Sequence, residues 1–403
     1  MSVVNLRAFG QAVSGYVSAA PISVDPQIGV DYVPPFNARP EVLVTLAPFP
    51  HAIAGDLPAN FDWRNASDRQ ARFGSPTEPL VAAPANQYAC GSCWAVASAS
   101  CLTDRFSVAL RRRTPDLSAT AILACLPGNH GCNGGFPHMA ALYFETTGIP
   151  PASCARYTDW CTGLCTTGAP MSLVQTMVPT CTDCCETCER SQAQVASTQA
   201  LPDPDSMKAS LFKDGPIVAT FRVFADWVAG FTPQKYLPGA NHWAATNHIY
   251  INSADADLYG PQMMDCPSKG RIKASRCPMG WHAVVVVGWG VDDHVNVKNA
   301  AGETELHSVP FWIIRNSYGS DWGDEGYFRM AISNVDRGWN VETALDVPTQ
   351  VGDKQYGGST IFLPATGVTS SMTSSVTSSV RPSPDKASAQ LKVTYRSSWD
   401  LHF

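Results

Sequence analysis

Fourteen cysteines, seven of them crowded between residues 154 and 188, constrain this 403-residue chain more than any periodicity in it. That many thiols normally fold as disulfides in an oxidising compartment, or as ligands of a metal. The run CTDCCETC at 181–188 repeats C-x-x-C as zinc sites do. Its spacing is too crowded for four sulfurs to converge easily on one ion, so disulfides are favoured and no metal is assigned. The N-terminus pulls the other way. MSVVNLRAFGQAVSGYVSAAP carries Arg7 and scattered polar residues, not the continuous apolar stretch of about 7–15 residues found in a secretory signal.

Hydrophobic residues make up 45% of the chain and charged ones 15%, enough apolar material for a large core. A net charge of −6 offers no basic surface, so no nucleic-acid partner is expected. The strongest apolar run, AVVVVGWG at 283–290, is far short of the ~20 residues of a membrane span and reads as a buried strand.

Residues 1–56 are proline-rich and irregular (Pro21, Pro26, Pro34, Pro35, Pro40, Pro48, Pro50) and read as extended chain. Globular composition begins at LPANFDWRN (57–65). In 93–110, Trp94, Ser98, Leu102, Phe106 and Leu110 recur at steps of four. That spacing predicts one apolar helical face, with Ser92 placed as an N-cap. A second helix is predicted at 205–214, closed by Gly215 and Pro216. Strand-like runs follow at 217–224, 282–290, 310–317 and 326–332. Helices first and strands later imply an α+β chain with segregated halves. Residues 365–390 contain TSSMTSSVTSSV, a low-complexity linker, and LKVTYRSSWDLHF could anchor the C-terminus.

The chemistry centres on NQYACGSCWAVA (86–97). A cysteine attacks a carbonyl as thiolate, and a helix start or a partner imidazolium favours that form. Cys93 opens the predicted helix. Of nine histidines, His282 heads the apolar strand. Asn316 follows the next strand in RNSYGSDWGDEGY, where its amide can orient an imidazole.

Four blocks, QYACGSCW, GCNGGFP, WHAVVVVGWG and WIIRNSYGSDWGDEGYFRM, occur in the order of the papain-like cysteine peptidases, which the chain resembles over about 57–345. The resemblance implies a two-lobed fold: a helical lobe at about 57–200 with a cysteine-rich insertion at 154–190, then a β-barrel-like lobe at about 201–350. Outside this domain (57–350) lie the extension 1–56, a propeptide or a docking arm, and the tail 351–403. The implied activity is a cysteine endopeptidase without cofactor. Cys93 matches the nucleophile, His282 the acid–base and Asn316 its orienting partner. Gln87 matches the oxyanion side chain, beside the amide of Cys93. Gly134 and Gly135 match the strip that binds substrate backbone. Phe136, Pro137 and Ala283 match the specificity pocket and Ala344 its floor, and Trp322, close behind Asn316, is expected among the substrate-binding residues.

The chain departs from the family pattern in three places. Tyr318 stands where a tryptophan usually shields the His–Asn pair, Trp281 precedes the histidine, and Trp339 lies near the usual pocket-floor cysteine. With Ala344 as the floor residue, an apolar P2 preference is expected. FDWRN, MKASLFKDGPIVATFRVFADW and the cysteine-rich insertion are nearest the cathepsin B-like branch. That branch grips substrate C-termini with histidines in the insertion, and residues 154–190 contain none, so endopeptidase activity is expected over dipeptide release.

The resemblance also implies a Cys90–Cys132 bridge. Setting aside Cys93 and Cys101, and closing a local Cys266–Cys277 loop, leaves Cys125 and the seven of 154–188, enough for four further bridges of undetermined connectivity. Partners would be a peptide or protein substrate and, through the two tails, an assembly. An alternative is a scaffold that keeps the fold with little activity. The cysteine content points to an oxidising, lysosome-like or extracellular setting, and the virion of a large DNA virus is the alternative.

Overall fold

The apolar run at 283–290 forms a buried strand, and the fold is built on its two faces. The computed structural model describes residues 47–48, 57–126, 129–135, 137, 139–140, 148–161, 171–181, 195–201, 204–227, 249–251, 263–266, 270–274, 277–298, 304–332, 349–351, 354–356 and 359–364. In chain order the elements begin with β1 (Ala47–Pro48) and β2 (Phe61–Asp62). Helices α1 (Ala66–Phe73), α2 (Cys93–Leu110), α3 (Ala119–Cys125), α4 (Tyr157–Trp160) and α5 (Met171–Gln175) follow. Then come β3 (Val195–Leu201), α6 (Pro204–Asp214), β4 (Ile217–Phe224), β5 (Ile249–Tyr250), β6 (Met263–Cys266) and β7 (Gly270–Lys273). The long strands β8 (Pro278–Lys298) and β9 (Thr304–Arg315) precede β10 (Tyr327–Ala331), β11 (Thr349–Val351), β12 (Lys354–Tyr356) and β13 (Ser359–Pro364).

The main sheet runs β1-β3-β13-β4-β8-β9-β10-β5, with β2 added to β8. Its strands lie mostly after the helices, the segregated α+β pattern that the sequence predicts. The sheet does not stop at residue 350. β13 pairs antiparallel with β3 from Ser359 to Pro364 and touches β4 at Thr360↔Val218. Part of the segment assigned to a tail therefore belongs to the sheet.

β8 shows why valine repeats here. Ala283, Val285 and Val287 enter a cluster with Cys93, Trp94, Leu102 and Phe106. Val284 and Val286 enter the barrel cluster with Phe221, Trp227, Trp312 and Phe328. A strand buried on both faces has no polar alternation, and each buried valine stabilises the fold by about 1.5–3 kcal/mol. The β8–β9 register shifts between Val286 and Gly288, and beyond that irregularity Trp289 faces the barrel. Gly288 is required because β2 crosses it: a Cβ there would meet the Phe61 carbonyl and lie 2.9 Å from the Asp62 Cα.

α2 departs from the one-faced helix that the four-residue spacing predicts. Most of it is buried all round, including Asp104 and Arg105, because α3 packs on one side and β8, β4 and β13 on the other. Its two charges are accommodated locally. Arg105 donates to the carbonyls of Pro216 and Gly215 and to Ser210. Asp104 pairs with Arg315 at 2.7 Å, while its other oxygen accepts from the Ala82 amide at 2.7 Å. Arg315 also donates to the Ala82 carbonyl at 2.7 Å and to Ser100 Oγ at 2.9 Å. A buried ion pair is costly to desolvate, and these added hydrogen bonds offset that cost.

Removing one partner strands the other charge. Arg315→Met is expected to lower unfolding free energy by about 3–5 kcal/mol in denaturant titration, with the double variant Arg315→Met/Asp104→Leu recovering most of it. Equal loss in single and double variants would show that the pair does not act as a unit.

Candidate active site

Cys93 is the first residue of α2 and is fully buried. It and Cys101 are the described cysteines outside disulfides. Cys101 donates to the Pro216 carbonyl, and burial pushes its thiol up to about 12. Cys90 is bridged to Cys132 with Cα atoms 4.6 Å apart, and the Gly91 amide donates to the Cys132 carbonyl at 2.9 Å. The loop presenting Cys93 is therefore clamped just ahead of the helix.

Ser92 does not cap this helix with its side chain, contrary to the sequence expectation. Its hydroxyl lies 2.5 Å from Tyr157 Oη, and its carbonyl accepts from the amides of Ala95 and Val96. Gln87 is buried behind the loop. Its Nε2 donates to the Cys90 carbonyl at 2.9 Å, its Oε1 accepts from Ser317 Oγ at 2.5 Å, and its amide donates to the Ser317 carbonyl at 2.8 Å.

His282 pairs across the sheet with Phe221. His282 Nε2 lies 2.7 Å from Asn316 Oδ1. That same oxygen accepts from the Ser317 amide at 2.8 Å, which fixes the orientation of the asparagine side chain. An amide oxygen only accepts, so Nε2 carries the proton and Nδ1 is the basic nitrogen. Nδ1 has no hydrogen-bond partner among the described residues.

Aromatic rings enclose the pair. Tyr318 lies 5.1 Å from the His282 ring, Phe221 5.9 Å and Trp227 6.0 Å. Trp322, half-buried, packs on Trp227 at 5.5 Å and on Tyr318 at 5.6 Å. Burial pushes the imidazole down to about 4, against the opposing hydrogen bond to Asn316. An imidazolium here needs a neighbouring anion.

Gly134, Gly135 and Pro137 are buried beside the Cys90–Cys132 bridge. A Cβ on Gly135 would approach the Trp94 ring to 2.5 Å, so this strip lies against α2 through a missing side chain. Ala283 is buried in the cluster that holds Cys93. Trp281 is partly buried and pairs with Arg222. Phe136, Ala344 and Trp339 lie outside the described residues.

The disulfides Cys125–Cys181 and Cys266–Cys277 are formed, and Cys154 and Cys161 are also disulfide-bonded. Cys181, first of the crowded run, is thus committed to a disulfide; the rest of that run lies outside the described residues. Sequence reasoning missed Tyr157, Trp227, Ser317 and Asp226, whose roles depend on partners distant in the chain. For Trp227 a signal existed, an aromatic just past a strand that pairs with the histidine's strand.

A model of the family described as papain family cysteine protease matches residues 57–242 and 260–347. The probable cysteine proteinase 361L of Invertebrate iridescent virus 6 is 28% identical over 324 residues, covering 74% of this chain and 58% of the relative. Cathepsin B-like protease 1 of Arabidopsis thaliana is 27% identical over 271 residues, covering 65% and 56%. The chain thus spans somewhat over half the length of these relatives. Procathepsin B S9 of Trypanosoma congolense superposes with a TM-score of 0.53 at 20% identity, over 91% of this chain and 99% of that one, which shows a shared fold.

Asp226 adjoins this aromatic wall. Its Oδ1 accepts from Tyr250 Oη at 3.0 Å and from the Trp227 amide at 2.9 Å, and burial pushes its carboxyl up to about 6. As pH falls below 6.5, the unfolded chain takes up a proton that buried His282 refuses until about 4, so His282 lowers stability across that window. As pH falls from about 6 to 3.8, folded Asp226 holds a proton that the unfolded chain has released, so Asp226 raises stability. Asn in its place keeps the accepting oxygen. Asp226→Asn should raise Tm at neutral pH, with a ceiling of roughly 3 kcal/mol, give no gain in acid, and steepen the acid-side loss. A Tm drop at neutral pH would contradict this.

Proposed function

The chain belongs to the papain family of cysteine proteases, and from that membership we propose that it is an endopeptidase acting through Cys93, His282 and Asn316. The observation that carries this reading is the 2.7 Å bond from His282 to Asn316 inside an aromatic wall, with Nδ1 left as the basic nitrogen. His282 Nδ1 takes the Cys93 proton, and the sulfur attacks the substrate carbonyl carbon. The resulting oxyanion accepts from the Cys93 amide and from the second N–H of Gln87 Nε2, the first being spent on the Cys90 carbonyl. As the C–N bond breaks, His282 returns the proton to the departing amine. Water, deprotonated by His282, then hydrolyses the thioester and regenerates the thiol.

Burial disfavours a lone imidazolium, so thiolate and imidazolium form as a pair. Gly134 and Gly135 would bind substrate backbone. Phe136, Pro137, Ala283 and Ala344 would form an apolar P2 pocket, and Trp322 would extend the wall. Tyr318 supplies the shielding ring in place of tryptophan. Residues 1–56 would act as propeptide or docking arm.

An epoxide probe for papain-like enzymes is expected to label the protein, and Cys93→Ala to abolish both labelling and cleavage of a peptide blocked at its C-terminus. Absence of labelling even after removal of residues 1–56 would favour a scaffold. Stepwise release of C-terminal dipeptides from an unblocked peptide would replace the endopeptidase reading.

A further inference from the structure

Tyr157 lies 64 residues beyond Cys93, inside the cysteine-rich insertion, yet its hydroxyl reaches both halves of the catalytic loop. It donates to the Gln87 carbonyl at 3.0 Å and lies 2.5 Å from Ser92 Oγ. Since the phenol proton is given to Gln87, the serine hydroxyl donates to the phenol oxygen, forming a chain Ser92 → Tyr157 → Gln87. We infer that Tyr157 is a positioning residue for the oxyanion side chain and for the start of the nucleophile helix, a role that rests on the peptidase reading above.

Two effects follow from that chain. Gln87 directs its Nε2 from a backbone that Tyr157 holds on one side and Ser317 on the other. Ser92 occupies the N-cap position but makes no side-chain cap. An N-cap serine ordinarily accepts from the first-turn amides and satisfies them. Tyr157 draws the hydroxyl away, so the first turn has the Ser92 carbonyl as acceptor for Ala95 and Val96 but no added side-chain cap, and the positive helix end at Cys93 favours a thiolate.

The phenol is itself held firmly. Its ring packs on Trp160 at 5.0 Å, whose Nε1 donates to Thr120 Oγ1 at 3.1 Å. The short α4 turn carrying both is bracketed by the disulfide-bonded Cys154 and Cys161. A second contact from the insertion lands nearby, where Gln175 Oε1 accepts from the Cys132 amide at 2.6 Å. Burial pushes the Tyr157 phenol up, so it stays a neutral donor.

The test is Tyr157→Phe in the full chain, which keeps the ring on Trp160 and removes only the hydroxyl. Peptide hydrolysis is expected to lose about tenfold in kcat with KM changed by less than about twofold, a fraction of the loss from deleting an oxyanion donor outright. Iodoacetamide alkylation of Cys93, followed by mass spectrometry across pH, should have its acid limb moved to higher pH. Adding Ser92→Ala should return that limb towards wild type, since no hydroxyl remains to cap the helix, while most of the kcat loss persists. An unchanged kcat, an unmoved limb, or a shift that survives Ser92→Ala would each overturn the assignment. A wild-type chain that alkylates at Cys93 but cleaves no peptide would sink the peptidase reading instead, with the alkylation profiles still judging Tyr157.

Discussion

Asp104 and Arg315 meet out of reach of water, and the placing of Cys93, Gln87 and Asn316 hangs on that meeting. Asp104 lies on the helix that begins at Cys93. Arg315 is the last residue of β9, and Asn316 is the next residue. A helix is a stiff rod rising 1.5 Å per residue, so a clamp three turns along it fixes where its first residue points. The same arginine ties down the Ala82 carbonyl, a few residues before the loop that carries Gln87. One ion pair thus references Cys93, Gln87 and Asn316 to a single point.

β8 distributes the remaining constraints. One face supplies the cluster around Cys93 and the other supplies the barrel around Trp227 and Trp312. His282 stands near the head of this strand, where the aromatic ring cluster closes over it. His282 is therefore held by the barrel and Cys93 by the helical cluster, with a shared strand between. Such a seam tolerates little repacking, because a volume change on either face is felt by the strand that serves both.

The parts legible in the sequence were those encoded by neighbours in the chain. A valine run reports a doubly buried strand whatever covers it, and the blocks around Cys93, His282 and Asn316 carry their own chemistry. Local pattern misled where tertiary contacts overrode it. The four-residue spacing of α2 predicts one buried face, but neighbours surround most of the helix. Ser92 has the composition of an N-cap and spends its hydroxyl on Tyr157 instead. Tyr157 was invisible because no local pattern announces a hydrogen bond made across the fold, and the position of Trp227 just past a strand announced an aromatic without its ring partners. β13 was hidden in a stretch whose neighbours are low-complexity, and only its pairing with β3 gives it a place.

That last strand imposes an order on biosynthesis. β3 and β4 emerge from the ribosome with their facing edges unsatisfied, since the strand that fills the gap between them is made about 140 residues after Val218. Helix α2 packs against this late strand as well. A nascent chain can thus form the bridge at Cys90–Cys132 early while its barrel waits, open-edged, for Ser359–Pro364 to arrive. Any enzyme that forms or reshuffles disulfides during synthesis would be working on a half-built molecule, whose exposed sheet edge invites pairing with other chains.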